Sequence, residues 1–366
     1  MPRNSKYSWL RNANTFPIGA NFVLDPSSLE VNPTNWFQHP VVQAWNRLHP
    51  KRVEPKSIVV VQEVKKGDAV SSVYRLNGMG PKGKSIIAKR YVKEYAHLER
   101  TIYEDVLPYL PVSGLKFYGF VDDPETEYGW LFLEDVGVGE FLYSIVEHRS
   151  LAARWLGLMH VSAAGIPAVF RLPGRGPTHY FAHLLQIRDV IQRNLGNPAL
   201  NTSDLRILAA ILRQCDFLES RWDLVQELCQ HFPQTLVHCD FGGQNLRVRS
   251  SANGIDLMVF DWEMAGQGIP APDLAELSGR GVPRQRVNSD LSDTELLDYW
   301  SIVRSSWMNL DMTAIKQLAN LGAVFRSLAA ISWESESLGY MRVSLRDLRS
   351  YKVDLTIAVE NLGFAR

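Results

Sequence analysis

Hydrophobic positions alternate with polar ones over the first third of the chain and then change to helical spacing. Residues 57–64 and 70–76 are rich in β-branched side chains and are separated by the turn-like Lys65-Lys66-Gly67-Asp68. A third such run, 85–92, follows the glycine-rich loop 77–84. Runs of this kind bounded by Gly and Asp predict an antiparallel meander of three strands. A helix is predicted over 93–107, stopped before Pro108, and two more strands over 115–121 and 130–133. From Leu151 the apolar positions 151, 155, 156, 158 and 159 fit one buried helical face. Helical patterns recur over 182–195, 204–232, 293–307, 312–333 and 344–362. The first 55 residues are interrupted by Pro17, Pro26, Pro33 and Pro40, so long regular elements are not expected there. Trp9, Trp36 and Trp45 argue for packing rather than disorder, and a short helix over 41–48 would start at Pro40.

A chain of 366 residues suggests two or three lobes. Lys plus Arg equals Asp plus Glu at 39 each, so no overall field favours nucleic acid or an anionic membrane as partner. Cys215, Cys229 and Cys239 have neither metal-ligand nor disulfide-framework spacing. With no signal-like apolar stretch and no membrane-length run, the expected location is the cytoplasm.

The chemistry concentrates in residues 235–263. The apolar run 235–237 delivers a loop with His238, Asp240 and, five residues on, Asn245; a second apolar run, 255–260, delivers Asp261. The two runs read as a hairpin with polar groups at its ends. Phosphoryl transfer needs a carboxylate to accept the proton of the attacking hydroxyl, and a carboxylate with an amide to hold magnesium on the phosphates. His238-Cys239-Asp240-Phe241-Gly242-Gly243-Gln244-Asn245, followed by Phe260-Asp261-Trp262-Glu263, resembles the aminoglycoside phosphotransferase and choline-kinase-like family, whose pattern is His-x-Asp-x4-Asn and then Asp-x-Glu. Cys239 stands where Gly or Asn is usual, a change expected to be tolerated.

The resemblance implies an α+β, protein-kinase-like two-lobe fold. Residues 57–136 would form a small lobe with a five-stranded antiparallel sheet and one helix. Residues 137–366 would form a large, mostly helical lobe, and 1–56 an extension packed on the small lobe. It implies ATP, with GTP as an open alternative, and Mg2+ as cofactors. Asp240 would be the base, and Asn245 and Asp261 would hold the metal. Lys89 would steer the phosphates, oriented by Glu99, which is chosen over Glu94 and Glu104. Gly67, Ser71 and Ser72 would form the phosphate loop, and Leu133, Glu134 and Asp135 the hinge against the adenine. Asp273 would cap a helix and support the catalytic loop, while His160 would be a packing residue. Glu263 would support the metal loop or face the acceptor. The partner would be a small-molecule hydroxyl acceptor, with a peptide Ser/Thr acceptor or a nucleotide-binding pseudokinase as alternatives. Trp333, Glu334 and Glu336 are acceptor-site candidates, weighed against a solvated acidic helix face.

A second segment spells nucleotide chemistry. Gly78-Met79-Gly80-Pro81-Lys82-Gly83 matches the dinucleotide glycine pattern, and 78–85 matches G-x4-G-K-S. A P-loop needs a helix directly after its Lys-Ser, so that helical amides face the phosphates. Residues 85–92 read as a strand, so this loop is expected to be a hairpin turn.

Overall fold

A computed structural model describes residues 30–31, 35–49, 51, 53–66, 69–252, 254–279, 293–339 and 345–363. Its largest sheet is formed by β1 (Glu30–Val31), β2 (Ser57–Lys66), β3 (Ala69–Asn77), β4 (Ile86–Val92), β5 (Phe117–Asp122) and β6 (Tyr128–Glu134). The strands are antiparallel neighbours in the order β1-β2-β3-β4-β6-β5. Five of them are the expected set. The sixth, β1, comes from the N-terminal segment and is too short to leave a periodic signal.

Strand alternation divides this sheet into two faces. On one, Ile58, Leu76, Ile86, Ala88 and Phe132 pack against Val41, Val42, Ala44 and Trp45 of α1 (Pro40–Leu48). Pro40 starts α1 with its fixed φ, and the His39 ring accepts from the Val41 N–H at 3.3 Å. On the other face, Ile87, Lys89 and Leu133 look toward the large lobe. There α2 (Lys93–Asp105) buries Ala96, Glu99, Ile102 and Tyr103 at helical spacing.

The large lobe is built from α3 (Val146–Ala163), α4 (Pro177–Asn194), α5 (Thr202–Glu219), α6 (Trp222–Gln230), α7 (Ala271–Leu277), α8 (Thr294–Val303), α9 (Met312–Ser335) and α10 (Arg346–Asn361). The pattern over 204–232 is therefore two helices, broken at Ser220-Arg221, where Arg221 leaves helical geometry at φ −125°. Helix α9 is buried along most of its length and crosses close to α7. A Cβ at Gly322 would lie 1.8 Å from the Ala271 carbonyl oxygen, so this crossing requires glycine.

The motif stretch 235–263 is paired differently from the expected hairpin. Strand β7 (Thr235–Val237) pairs with β10 (Gly266–Gly268), while β8 (Leu246–Ser251) pairs with β9 (Gly254–Val259). The chain makes a helical turn at Gly243–Asn245 and reverses only near residue 252, so residues 246–251, not 235–237, lie opposite β9. No helix among the described residues is long and apolar enough to cross a membrane.

Candidate active site

A cleft lies between the inner face of the small-lobe sheet and the end of β9. Val61, Val73, Ile87, Leu115, Leu133 and Phe260 give it apolar walls, and Lys89 and Asp261 stand on it as charged groups. Such a slot suits a flat aromatic ring with a charged tail. Glu134 and Asp135 also line it. Their carboxylates are taken up by Arg249 at 2.8 Å and Arg75 at 2.7 Å.

Of the three proposed phosphate-loop residues, Gly67 lies outside the described residues. Val73 and Arg75 of β3 line the cleft, so alternation puts Ser71 on the same face and Ser72 on the opposite one. The structure thus does not bring the Ser72 side chain to the cleft; it is buried at 4% exposure on the far face.

Lys89 joins the lobes. Its ammonium donates to both oxygens of Glu99, at 3.0 and 2.8 Å, and to Asp261 Oδ1 at 2.5 Å. Glu99 is fully buried, accepts from the Trp262 N–H at 2.8 Å and takes a further bond from the Tyr91 hydroxyl. One carboxylate on α2 therefore fixes both the lysine and the backbone just after Asp261. Burial alone would lower the Lys89 pKa. Asp261 and Glu99 outweigh it, so the net shift is upward and the ammonium stays charged. Asp261 has left-handed backbone, φ +71°, a strained conformation of the kind found at functional sites.

The loop 238–245 is tied down from four directions. The buried Asp273 carboxylate of α7 accepts from the main-chain N–H of His238 at 2.8 Å and of Cys239 at 2.7 Å. It caps this loop rather than its own helix. His160 holds Asp273 in turn, through Nε2 at 3.2 Å, and its Nδ1 meets the Tyr299 hydroxyl at 3.0 Å. The His238 ring accepts the Asp240 N–H on Nδ1 at 3.3 Å, which leaves Nε2–H to donate to Phe260 O at 3.1 Å and links the two loops. Asn245 Nδ2 donates to the Asp240 carboxylate at 2.8 Å and carbonyl at 2.9 Å.

The fourth tie went unseen in the sequence. Arg326, 4% exposed in the middle of α9, donates to Asp240 Oδ1 at 3.2 Å, to the Cys239 carbonyl and to Glu276 of α7. Burial pushes the Glu276 carboxyl up to about 7 against the opposing pull of Arg326. The available signal was one cation inside the apolar run 321–331, since a buried charge needs a partner. Glu263 is half-buried, and burial and the charge of Asp261 push its carboxyl well above the ordinary range.

Asn245 Nδ2 is committed to Asp240, so Oδ1 remains as its ligand atom; Asp261 likewise keeps Oδ2 beyond its bond to Lys89. Amide and carboxylate oxygens are hard donors that suit Mg2+. Among the described residues no group of three or more His, Cys, Asp or Glu could hold a metal by itself. A pair of protein ligands completed by phosphate oxygens fits this set.

Cys239 takes left-handed backbone, φ +63°, which gives a physical reason for Gly or Asn at the corresponding place in the motif. Trp333, Glu334 and Glu336 are half-buried rather than a solvated face. Trp333 stands edge-on to His183 at 6.0 Å, and Gln186 donates to Glu336 at 3.3 Å.

The model of the phosphotransferase enzyme family (APH) matches residues 65–300. Among curated proteins, none matches the chain. The fold is similar to that of an ethanolamine kinase from Plasmodium vivax, at TM-score 0.53 and 16% identity, with 81% of each chain covered. A spectinomycin phosphotransferase in complex with ADP and spectinomycin aligns at TM-score 0.53 and 12% identity, over 84% of this chain and 94% of that one. The GDP complex of an aminoglycoside 2'-phosphotransferase aligns at TM-score 0.55 and 13% identity, over 88% and 97%. At these identities the likeness is one of fold.

Proposed function

The chain belongs to the phosphotransferase enzyme family, and from that premise we propose that it transfers the γ-phosphate of ATP or GTP to a hydroxyl of a small molecule. The observation that carries the reading is the Lys89 ammonium shared between Glu99 and Asp261 at the wall of the cleft. A cation held this way is aimed at the phosphates of a nucleotide whose base lies against Leu133–Asp135. Asn245 and Asp261 would hold Mg2+, which neutralises developing charge on the phosphates. Asp240 accepts the proton of the acceptor hydroxyl as that oxygen attacks. Its carboxylate is partly exposed, so an acceptor can reach it, while Asn245 and Arg326 fix its direction. Arg326 is a positioning residue in this scheme. Most of the rate enhancement then comes from orientation and preorganised charge.

The test is a thermal-shift titration with ATP and GTP, with and without magnesium. Nucleotide at about a hundred times its Kd adds roughly 2.7 kcal/mol of stability, a shift of a few degrees. The expected result is a magnesium-dependent shift that is lost in Asp261→Ala. No shift with either nucleotide would overturn the reading.

A further inference from the structure

Two residues outside the proposed mechanism hold the turn that presents Asn245. Every main-chain carbonyl from 242 to 246 has a partner. Gly242 O accepts from the Asn245 N–H at 2.9 Å, and Asn245 O from the Phe260 N–H at 3.2 Å. The carbonyls of Leu246 and Gln244 accept from Arg247 Nη1, at 2.7 and 3.1 Å. That of Gly243 takes the Leu246 N–H and lies 3.5 Å from the same nitrogen. Arg247 is 7% exposed, and its guanidinium also stands 5.4 Å from the centre of the Phe260 ring. At the start of the turn the Gly243 N–H donates to the Tyr143 hydroxyl at 2.9 Å. The tyrosine ring lies so close that a Cβ on Gly243 would meet Tyr143 Cε2 at 2.8 Å.

Both holds run back toward the hinge. Shortly after Leu133–Asp135, the Gly139 carbonyl accepts from the Val248 N–H at 3.0 Å, and Glu140 forms an antiparallel bridge with Arg247. The chain then reaches Tyr143, whose carbonyl accepts from Arg149 of α3, and Arg149 pairs in turn with the buried Glu295 of α8. The strap 139–143 is thus anchored at both ends, and the Asn245 turn is held between it and β9. A single helical turn does not hold its shape alone, because too few internal bonds offset the entropy of fixing it. The carbonyls at its end carry partial negative charge, and a buried cation across them is the matching cap. Magnesium makes a small displacement costly, since it demands near-octahedral ligands at about 2.0–2.1 Å.

We propose that Arg247 and Tyr143 are positioning residues for bound magnesium: they lock the Gly243–Asn245 turn, so that Asn245 keeps Oδ1 for the metal while Nδ2 stays on Asp240. The inference rests on the phosphotransferase reading, which assigns Asn245 to the metal. Loss of either side chain loosens the turn and leaves Lys89 and Glu99 in place. The defect then falls on the metal rather than on the nucleotide.

The test is calorimetric titration of the full chain with ADP, with and without magnesium, in wild type, Tyr143→Phe, Arg247→Met and Arg247→Lys. Magnesium-free ADP should bind all four alike. The gain in affinity that magnesium brings should shrink about three- to ten-fold in Tyr143→Phe and about ten-fold or more in Arg247→Met. Arg247→Lys, which keeps a cation near the carbonyls, should fall between Arg247→Met and wild type. An undiminished gain in Tyr143→Phe or in a folded Arg247→Met overturns the proposal. So does an equal loss with and without magnesium, because Arg247 lines the cleft and would then act on the nucleotide directly. Tyr143→Phe removes one oxygen atom and decides the matter if Arg247→Met does not fold. Hydrogen exchange of peptides covering 238–250 in the ligand-free chain reads the turn independently of any nucleotide. Faster exchange is expected in Tyr143→Phe and Arg247→Met, and unchanged exchange sinks the proposal. A wild type whose ADP binding ignores magnesium, with exchange still faster in the variants, would overturn the metal assignment and the magnesium role with it, leaving only the hold on the turn.

Discussion

Two segments of this chain spell nucleotide chemistry, and they differ in what surrounds them. In 78–85 the G-x4-G-K-S pattern closes the turn between β3 and β4. Its amides are used within the turn, Gly80 N to Lys84 O at 2.8 Å and Gly83 N to Gly80 O at 3.0 Å. Lys84 is exposed, and a strand rather than a helix follows it. In 235–263 each polar group is gripped by an element remote in sequence: Asp240 by Arg326, the loop amides by Asp273, and the backbone after Asp261 by Glu99. A lysine in water has no preferred direction, whereas one between two buried carboxylates has one. Letters of a motif become a site when the fold removes their alternatives.

The sharpest way to break this comparison is at the base. Asp240→Asn keeps the shape but cannot accept a proton, and its single amide oxygen can accept from only one of Arg326 and Asn245. Transfer should fall roughly 10²- to 10⁴-fold while the Mg–ADP thermal shift persists. Equal transfer rates in a coupled assay would remove Asp240 from the mechanism. The next effect contrasts the two lysines. Lys89→Met strands the fully buried Glu99, costs roughly 3–5 kcal/mol and abolishes the nucleotide shift. Lys84→Ala stays within about 0.5 kcal/mol and keeps the shift. Calorimetric titration of both variants with Mg–ADP decides, and the reverse pattern would make 78–85 the phosphate site.

A smaller effect follows from Glu276, whose folded-state carboxyl is held at about 7, above its ordinary value. The folded chain keeps a proton there that the unfolded chain has already released. The associated stability is complete below about pH 4.5 and is lost as pH rises through about 7. Across that window wild type should lose on the order of 2–3 kcal/mol relative to Glu276→Gln, read from melting temperatures against pH. Parallel curves would show that Glu276 is not held protonated against Arg326.

The legible parts of the molecule are those whose signal is local. Strands β2 to β6 and helices such as α2 follow from periodicity because each buries one face, whereas α9, buried all round over 321–332, shows as a nearly continuous apolar run. Strand β8 alternates only over Leu246-Arg247-Val248-Arg249 before the polar Ser250-Ser251, a signal too short to stand out, and the expected hairpin instead joins the apolar runs on either side of it. The motif residues of 235–263 could be named, and among three glutamates Glu99 is the one on the buried face with Ala96, Ile102 and Tyr103. Arg326, 86 positions from the Asp240 it touches, could not be named, because the contact that marks it exists only after folding.

The smallest test concerns Cys239. Its φ of +63° penalises any side chain with a Cβ, and the residue is 5% exposed beside Tyr180. Cys239→Gly relieves the strain but loses the packing of the thiol and loosens the unfolded chain, so its stability relative to wild type mixes opposing terms. Comparison with Cys239→Ala separates them, because both variants lose the thiol and only alanine keeps the strain. At ordinary positions alanine is the more stable of the two by roughly 0.5–1 kcal/mol. Here the order should invert, with Cys239→Gly more stable by about 1 kcal/mol in denaturant unfolding. Alanine equal to or better than glycine would show that the loop does not hold residue 239 left-handed. The two amides bound by Asp273 would then need another explanation for their alignment, because it is this turn that points both of them at one carboxylate.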